Sequence, residues 1–166
     1  MGSGKSTVGK KTAQLLKLPF FDLDKVIEAR EKKTIADLFT TAGENNFRNL
    51  ETRYLTELTS GTAPCFISLG GGTICFHENL EKVKAQGLLI YLKLPATALL
   101  NRIEQSSMVR PLLQNFKGEK LLAEIELKLG QRKNYYESAH IIVNGVNLTP
   151  QALHKTIVDA HPEYSR

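Results

Sequence analysis

Six residues near the start of the chain, Gly2-Ser3-Gly4-Lys5-Ser6-Thr7, have the types and spacing of the second half of G-x-x-x-x-G-K-[ST]. That chemistry is phosphate binding. Backbone N–H groups can curl round phosphate oxygens only where glycine permits a positive φ or a close approach. Lys5 then places a cation on the β and γ phosphates of a nucleotide, and Ser6 offers a hydroxyl to Mg2+. A helix beginning here directs the positive end of its dipole at the same anion. The six residues are therefore expected to bind ATP, with Mg2+ as cofactor. A flexible Gly/Ser tail is the plainer explanation, but the helical pattern after it and the acidic pair beyond argue against it.

That pair is Asp22-Leu23-Asp24, which follows the apolar Phe20-Phe21. Strand ends are where parallel sheets present ligand-binding groups. On extended backbone, residues two apart point the same way, so both carboxylates would face one pocket. One can serve the Mg2+ shell and the other accept a substrate hydroxyl or its proton. Asp24 also stands where a helix N-cap would fall, ahead of Lys25-Val26-Ile27, which would account for one of the two. Further on, Gly70-Gly71-Gly72 closes the apolar run Cys65 to Leu69. Three glycines exceed the needs of a turn and let backbone approach a ligand. Arg48 lies one helical turn before Glu51, a partner that can orient its guanidinium fork.

The elements that must position these groups alternate between helix and strand, which predicts an α/β fold with a mostly parallel sheet. Thr7 to Leu16 reads as a helix with Val8, Thr12, Leu15 and Leu16 on one face, ended by Pro19. Residues 25–60 are helical in pattern with a break near Gly43. Cys65 to Leu69 and Leu88 to Leu92 read as buried strands, and Ile141 to Val143 as another. Helices are expected from about Glu119 to Glu137 and after Pro150. Between Gln105 and Lys117 the apolar periodicity lapses, so this stretch reads as a loop.

The 166 residues fit one domain, residues 1–166, with 42% apolar and 23% charged content. No apolar run approaches the ~20 residues of a membrane span. Cys65 and Cys75 have neither metal-ligand nor disulfide spacing, which suits a reducing cytoplasm. The net charge of +5 is scattered, without a dense basic block, so small anions are favoured over nucleic acid. His77 and His154 show no partner or metal spacing, and His140 reads as a surface position without a role.

Taken together, Phe20-Phe21-Asp22-Leu23-Asp24, Ile27-Glu28, Ile35-Ala36-Asp37-Leu38-Phe39, Gly43-Glu44, Phe47-Arg48 and Glu51 resemble shikimate kinases in order and spacing. Ser68-Leu69-Gly70-Gly71-Gly72, Arg110-Pro111-Leu112-Leu113, and Arg132 with Tyr135 continue the resemblance over nearly the whole chain. It implies a three-layer α/β/α fold round a central parallel sheet, and transfer of the ATP γ-phosphoryl group to the 3-hydroxyl of shikimate. By the same resemblance Asp24 binds the shikimate hydroxyls and serves as base, while Asp22 orients the Mg2+ shell that Ser6 ligates directly. Arg48 and Arg132 grip the shikimate carboxylate, for which a bidentate guanidinium is suited and Lys is not. Gly70, Gly71 and Gly72 bind hydroxyls, and Phe39 and Phe47 wall the pocket. Residues 105–117 are implied to be a lid whose Arg110 meets the transferring phosphate, and Arg102 to lie near the adenine. The expected partners are ATP and shikimate, in a cytoplasmic monomer. Other readings are a related kinase for another polyol or nucleotide, or a silent binding protein; the retained Lys5, Asp24 and Arg110 argue against the latter.

One feature departs from the pattern. A P-loop is a strand–loop–helix unit, yet the motif's first glycine falls before Met1, and so does the strand that feeds it. Burying a central strand of five or six apolar residues is worth roughly 8–15 kcal/mol, comparable to the ~5–15 kcal/mol stability of a whole domain. The expectation is a missing first, central strand, a native chain that begins upstream, and an internal Met1.

Overall fold

A computed structural model describes residues 2–61, 63–106 and 111–164. The phosphate loop leads into α1 (Lys5–Leu15), followed by β1 (Phe20–Asp22), α2 (Leu23–Glu31) and α3 (Ile35–Thr59). Then come β2 (Phe66–Ser68), a 3-10 turn (Thr73–Cys75), α4 (Asn79–Gln86), β3 (Ile90–Lys93) and α5 (Ala96–Glu104). The chain continues through α6 (Gly118–Glu137), β4 (Ile141–Asn144) and α7 (Pro150–Ala160). The alternation and the α/β class are as the sequence predicts. Helices α4 and α5, of eight and nine residues, were not foreseen, being short beside the strand signal of β3 that separates them.

Local chemistry explains most boundaries. Thr34 caps α3 by accepting from Asp37 N at 3.1 Å, and the Asp37 carboxylate returns to Thr34 N at 3.3 Å, a reciprocal capping box. Gly43 breaks α3 with φ 77° and ψ 169°, at the position the sequence marks. Pro150 opens α7 at its first turn behind the Thr149 cap. Helix α1 packs on α7, and the buried Thr12 hydroxyl donates to Val8 O at 2.9 Å and to Pro150 O at 3.4 Å. Val8, Thr12 and Leu16 face inward as expected, but Leu15 does not: it is 41% exposed, because the helix closes with Leu15 pointing off the packed face.

The sheet is parallel, as expected, and divided. Every pairing is parallel, but the four strands form two separate two-stranded sheets among the described residues. Phe20 to Asp22 align with Phe66 to Ser68, and Ile90 to Lys93 align with Ile141 to Asn144. The segments read as buried strands are therefore only half-buried: in β2 Ser68 alone is buried, and in β3 no residue is. Their inner edges face a cleft of about 460 Å³ instead of a neighbouring strand. His140, given no role from sequence, accepts Leu89 N–H at 3.0 Å through Nδ1 and so closes the start of the β3–β4 pair.

The apolar interior is divided to match. One cluster joins Val8 and Leu16 of the α1 region to Leu153, Ile157 and Val143. A second gathers Leu23, Ile27, Leu38, Phe47 and Tyr54 from α2 and α3. A third packs Leu99, Leu113, Leu121 and Ile125 between α5 and α6. Leu113 falls within the segment read as an open loop, so the second half of that loop is anchored in the core.

Candidate active site

Helix α1 opens on Gly4, whose φ of 79° and ψ of 13° lie in the left-handed region that glycine tolerates. No side chain caps this helix start, which leaves its first N–H groups directed at an incoming anion. Gly2, with φ 62°, rests on α5, where an added Cβ would meet Ile103 at 3.0 Å. Arg102, also on α5, donates to Ser3 O at 2.7 Å and to Gly145 O at 3.4 Å. Arg102, which the resemblance implies lies near the adenine, is thus placed against the phosphate loop. Lys5 and Ser6 are half-buried in the first turn, and Thr7 is exposed.

Ser6 Oγ donates to Asp22 Oδ2 and lies 3.2 Å from Ser68 Oγ. Three hard oxygen groups thus meet where β1 and β2 end, directly beyond the phosphate loop. Asp22 also accepts from Lys25 N at 3.3 Å and is the N-cap of α2. The cap was expected at Asp24, and both acids were expected on one extended segment. In the structure the strand ends at Asp22, and Asp24 lies in the first turn of α2. The Asp22 carboxylate still acts on Asp24 across the strand-to-helix corner, and so does the Lys5 cation. Burial raises the Asp24 pKa above its ordinary value; Lys5 opposes the shift, and Asp22, Glu51 and Glu28 add to it.

The glycine triplet is shaped by close approach and not by unusual φ. A Cβ on Gly70 would stand 2.5 Å from Glu51 Oε1 and 3.3 Å from Asp24 Oδ1. One on Gly72 would stand 2.8 Å from Arg48 Nη1. The Gly71 carbonyl accepts from Arg132 Nη1 at 3.0 Å and from the Tyr136 hydroxyl. All three glycines therefore lie against groups singled out from the sequence.

Arg48 is 4% exposed and Glu51 1%. Arg48 Nη1 meets Glu51 at 2.6 Å and Nη2 meets Glu44 at 2.6 Å, while Thr73 donates to the other Glu51 oxygen. The guanidinium also lies over three aromatic rings, with centroids at 4.6 Å for Phe76, 5.4 Å for Phe47 and 6.0 Å for Phe39. Phe39 and Phe47 pack together at 4.7 Å, as an apolar wall requires. Arg132 and Arg48 both act electrostatically on Cys75, so the two arginines converge on one region from α6 and α3. Burial, the larger influence, raises the Cys75 thiol against both of them.

The structure thus brings together Lys5, Ser6, Asp22, Asp24, Arg48, Gly70, Gly71, Gly72, Arg132 and Arg102. Arg110 lies outside the described residues, with part of the segment read as a lid. Three contributors escaped the sequence reading. Phe76 gives the nearest ring to Arg48, and Thr73 binds Glu51; both follow the glycine triplet within four residues, where a loop that approaches substrate must continue. Tyr136 is the third. Tyr135 was matched in its place, but Tyr135 is 38% exposed, whereas Tyr136 reaches Gly71. Helical spacing was the available signal, since Arg132 and Tyr136 are four apart and share a face.

Comparison with known proteins agrees with this geometry. The family model described as shikimate kinase matches residues 1–161. A shikimate kinase from Parabacteroides distasonis is 40% identical over 141 residues, spanning 85% of this chain and 81% of the relative. The crystal structure of shikimate kinase from Bacteroides thetaiotaomicron superposes with a TM-score of 0.89 at 34% identity, over 96% of this chain and 92% of that one. That of the Acinetobacter baumannii shikimate kinase, in complex with shikimate, gives 0.87 at 35% identity over 98% and 89%. With the family model matched over residues 1–161 and relatives about 40% identical over most of their length, the chain belongs to the shikimate kinase family.

Proposed function

We propose that this protein transfers the γ-phosphoryl group of ATP to the 3-hydroxyl of shikimate, forming shikimate 3-phosphate for aromatic amino acid synthesis. The observation that carries this reading is the contiguity of Lys5, Asp24 and the glycine triplet with Arg48 and Arg132. A nucleotide site, a basic carboxylate and a carboxylate-binding pair therefore border one space. A carboxylated polyol matches that set of groups; a nucleoside monophosphate does not.

Asp24 is the base. Its raised pKa reflects a partly desolvated carboxylate, and such a group accepts a proton more readily than an ordinary one at neutral pH. As the 3-oxygen attacks, its proton passes to Asp24. The new O–P bond forms at the γ-phosphorus while the bond to the β–γ bridging oxygen breaks, and that electron pair leaves with ADP. Lys5 and the N-terminus of α1 stabilise negative charge on the phosphates. Arg48, held by Glu44 and Glu51, and Arg132, held against Gly71, orient the substrate carboxylate. Arg110 is assigned to the transferring group, whose negative charge its guanidinium would stabilise.

The oxygen donors at the acidic corner suit Mg2+. Ser6 and Asp22 would hold it, and it would neutralise charge on the β and γ phosphates. The same reading makes the protein a cytoplasmic monomer that engages neither nucleic acid nor membrane; no described helix is long and apolar enough to cross one.

The test is ADP release with shikimate, quinate, gluconate and nucleoside monophosphates offered in parallel. Turnover dependent on shikimate is expected. Turnover with a nucleotide or gluconate alone would reject the assignment.

A further inference from the structure

Two costly features meet at Asn79, the first residue of α4. The side chain is 1% exposed, and its Oδ1 is a buried oxygen without a hydrogen-bond partner among the described residues. A buried acceptor left unpaired costs stability. The two residues before it, His77 and Glu78, have φ of 52° and 58°, a left-handed conformation that residues other than glycine adopt at a cost. Helix α4 does not explain either feature, since no side chain caps its start. We infer that both serve Arg48: Asn79 is a positioning residue that clamps the loop after the glycine triplet onto the turn of α3 carrying Arg48 and Glu51.

Both amide hydrogens of Asn79 are used. Nδ2 donates to Thr73 O at 2.9 Å and to Thr52 Oγ1 at 3.0 Å. Turning the amide over would set Oδ1 against the Thr73 carbonyl, so one orientation is imposed and Oδ1 is left without a donor.

From these two contacts, two arms reach the arginine. In the first, the Thr73 hydroxyl donates to Glu51 Oε1, and Glu51 Oε2 holds Arg48 Nη1 at 2.6 Å. In the second, the Thr52 hydroxyl donates to Arg48 O at 3.1 Å. One arm ends on the guanidinium and the other on the backbone of the same residue, so the contacts close a ring. Thr73 is fully buried and Glu51 is 1% exposed, which keeps bulk water from replacing the links. Thr73 N–H also donates to Gly70 O at 3.3 Å. Asn79 thereby ties the arginine to the glycine loop that faces it.

The inference rests on the reading of Arg48 as the group that binds the substrate carboxylate, and the test separates the two. Asn79→Ala deletes both arms. Asn79→Leu does so with the volume kept, should the Ala variant unfold, and Thr73→Val cuts the first arm nearer to Arg48. Each should raise KM for shikimate roughly three- to tenfold, the scale of one or two lost hydrogen bonds, with KM for ATP held. The decarboxylated analogue, which keeps the ring hydroxyls, makes no use of Arg48 and should bind parent and variants alike within about twofold. Adding Thr73→Val to Asn79→Leu should cost less than the product of the single effects, as residues of one network do. With no substrate present, the Arg48 Nε–H should exchange at least about tenfold faster in each variant. A merely structural Asn79 would weaken shikimate and its decarboxylated analogue by the same factor, or raise KM for ATP equally. Either result overturns the inference, and so does an Arg48 Nε–H that exchanges as in the parent. If the parent turns over no shikimate, the proposed reaction fails, and the Arg48 Nε–H exchange alone decides for or against the clamp.

Discussion

The glycine triplet region and the centre of the sheet solve opposite problems. Around Gly70 to Gly72 the polar side chains hold one another: Arg48 holds Glu44 and Glu51, Glu51 holds Thr73, and Asn79 donates to Thr52 and to Thr73 O, while its own buried Oδ1 has no partner. Between β2 and β3 the walls are apolar and two strand edges stand open. The substrate side is held by side chains drawn from α3, α6 and the loop after β2. The phosphate side hangs from the end of the open cleft. Substitutions near the glycines should therefore act on shikimate, and changes in the cleft should act on stability and on the nucleotide.

Asp24, at the boundary between the two, should give the largest effect. Asp24→Asn is expected to lower kcat by about 10²- to 10⁴-fold, the usual range for losing a general base, with ATP affinity nearly unchanged. Lys5→Ala should weaken both. Isothermal titration with ATP beside steady-state kinetics distinguishes them, and equal loss of ATP affinity in the two variants would contradict the roles assigned. The pH dependence has a definite sign. A carboxyl whose pKa is raised on folding binds its proton more tightly in the folded state, so stability falls as pH climbs from the ordinary value of 3.8 to the raised one. That cost is fully present at neutral pH. Asp24→Asn should hence melt higher than the parent at pH 7 and lose that advantage as pH falls below the ordinary value. The acid limb of kcat/KM should lie above the usual carboxylate range in the parent.

Glu51 comes next. It and Arg48 are both buried, and removing one partner of a buried pair leaves the other uncompensated at a cost of about 3–5 kcal/mol. Glu51→Ala should destabilise by an amount of that order in urea melts, while KM for shikimate rises and KM for ATP holds. A neutral effect on both stability and shikimate KM would show that Glu44 alone fixes Arg48. Gly72→Ala is smaller and more local. Its methyl would press on the Arg48 guanidinium, and misplacement of that size costs roughly 10- to 100-fold in kcat/KM for shikimate. Gly130→Ala is the contrast: nothing lies within 4 Å of the added carbon, and in mid-helix it should stabilise by about 0.5–1 kcal/mol.

How much of this the sequence disclosed depended on whether a residue acts through a local pattern or through a distant contact. Lys5, Ser6, Asp22 and Gly4 belong to motifs whose spacing states the chemistry, and they stand where that spacing puts them. Gly43 broke α3 as foreseen, because a helix break needs only local backbone. Leu15 was misplaced because its orientation depends on where α1 ends. The Asp24 cap was misassigned because the strand stops one corner earlier, at Asp22. Cys65 to Leu69 looked fully buried because its composition is apolar, whereas its burial depends on a neighbour the described strands do not supply. Phe76 and Thr73 reach Arg48 and Glu51 across more than twenty residues of sequence, and no period in the chain announces such contacts.

Tyr136 gives the smallest effect and the sharpest division between the two regions, because it touches both. Its hydroxyl holds the Gly71 carbonyl, and its ring stacks on Tyr91 of β3 with centroids 4.8 Å apart, beside the cleft. Tyr136→Phe keeps the stack and deletes the hydroxyl, leaving Arg132 as the donor to Gly71 O. One hydrogen bond is worth about 0.5–1.5 kcal/mol, so a modest rise in shikimate KM is expected, roughly two- to tenfold on that scale, with ATP KM unmoved. Tyr136→Leu removes the stack as well. If the glycine loop is set from its own side chains, the two variants should share the same shikimate KM, and Leu should add only a loss of Tm. If shikimate KM worsens further in Leu, the position of β3 reaches the substrate loop through this ring, and the two regions act as one.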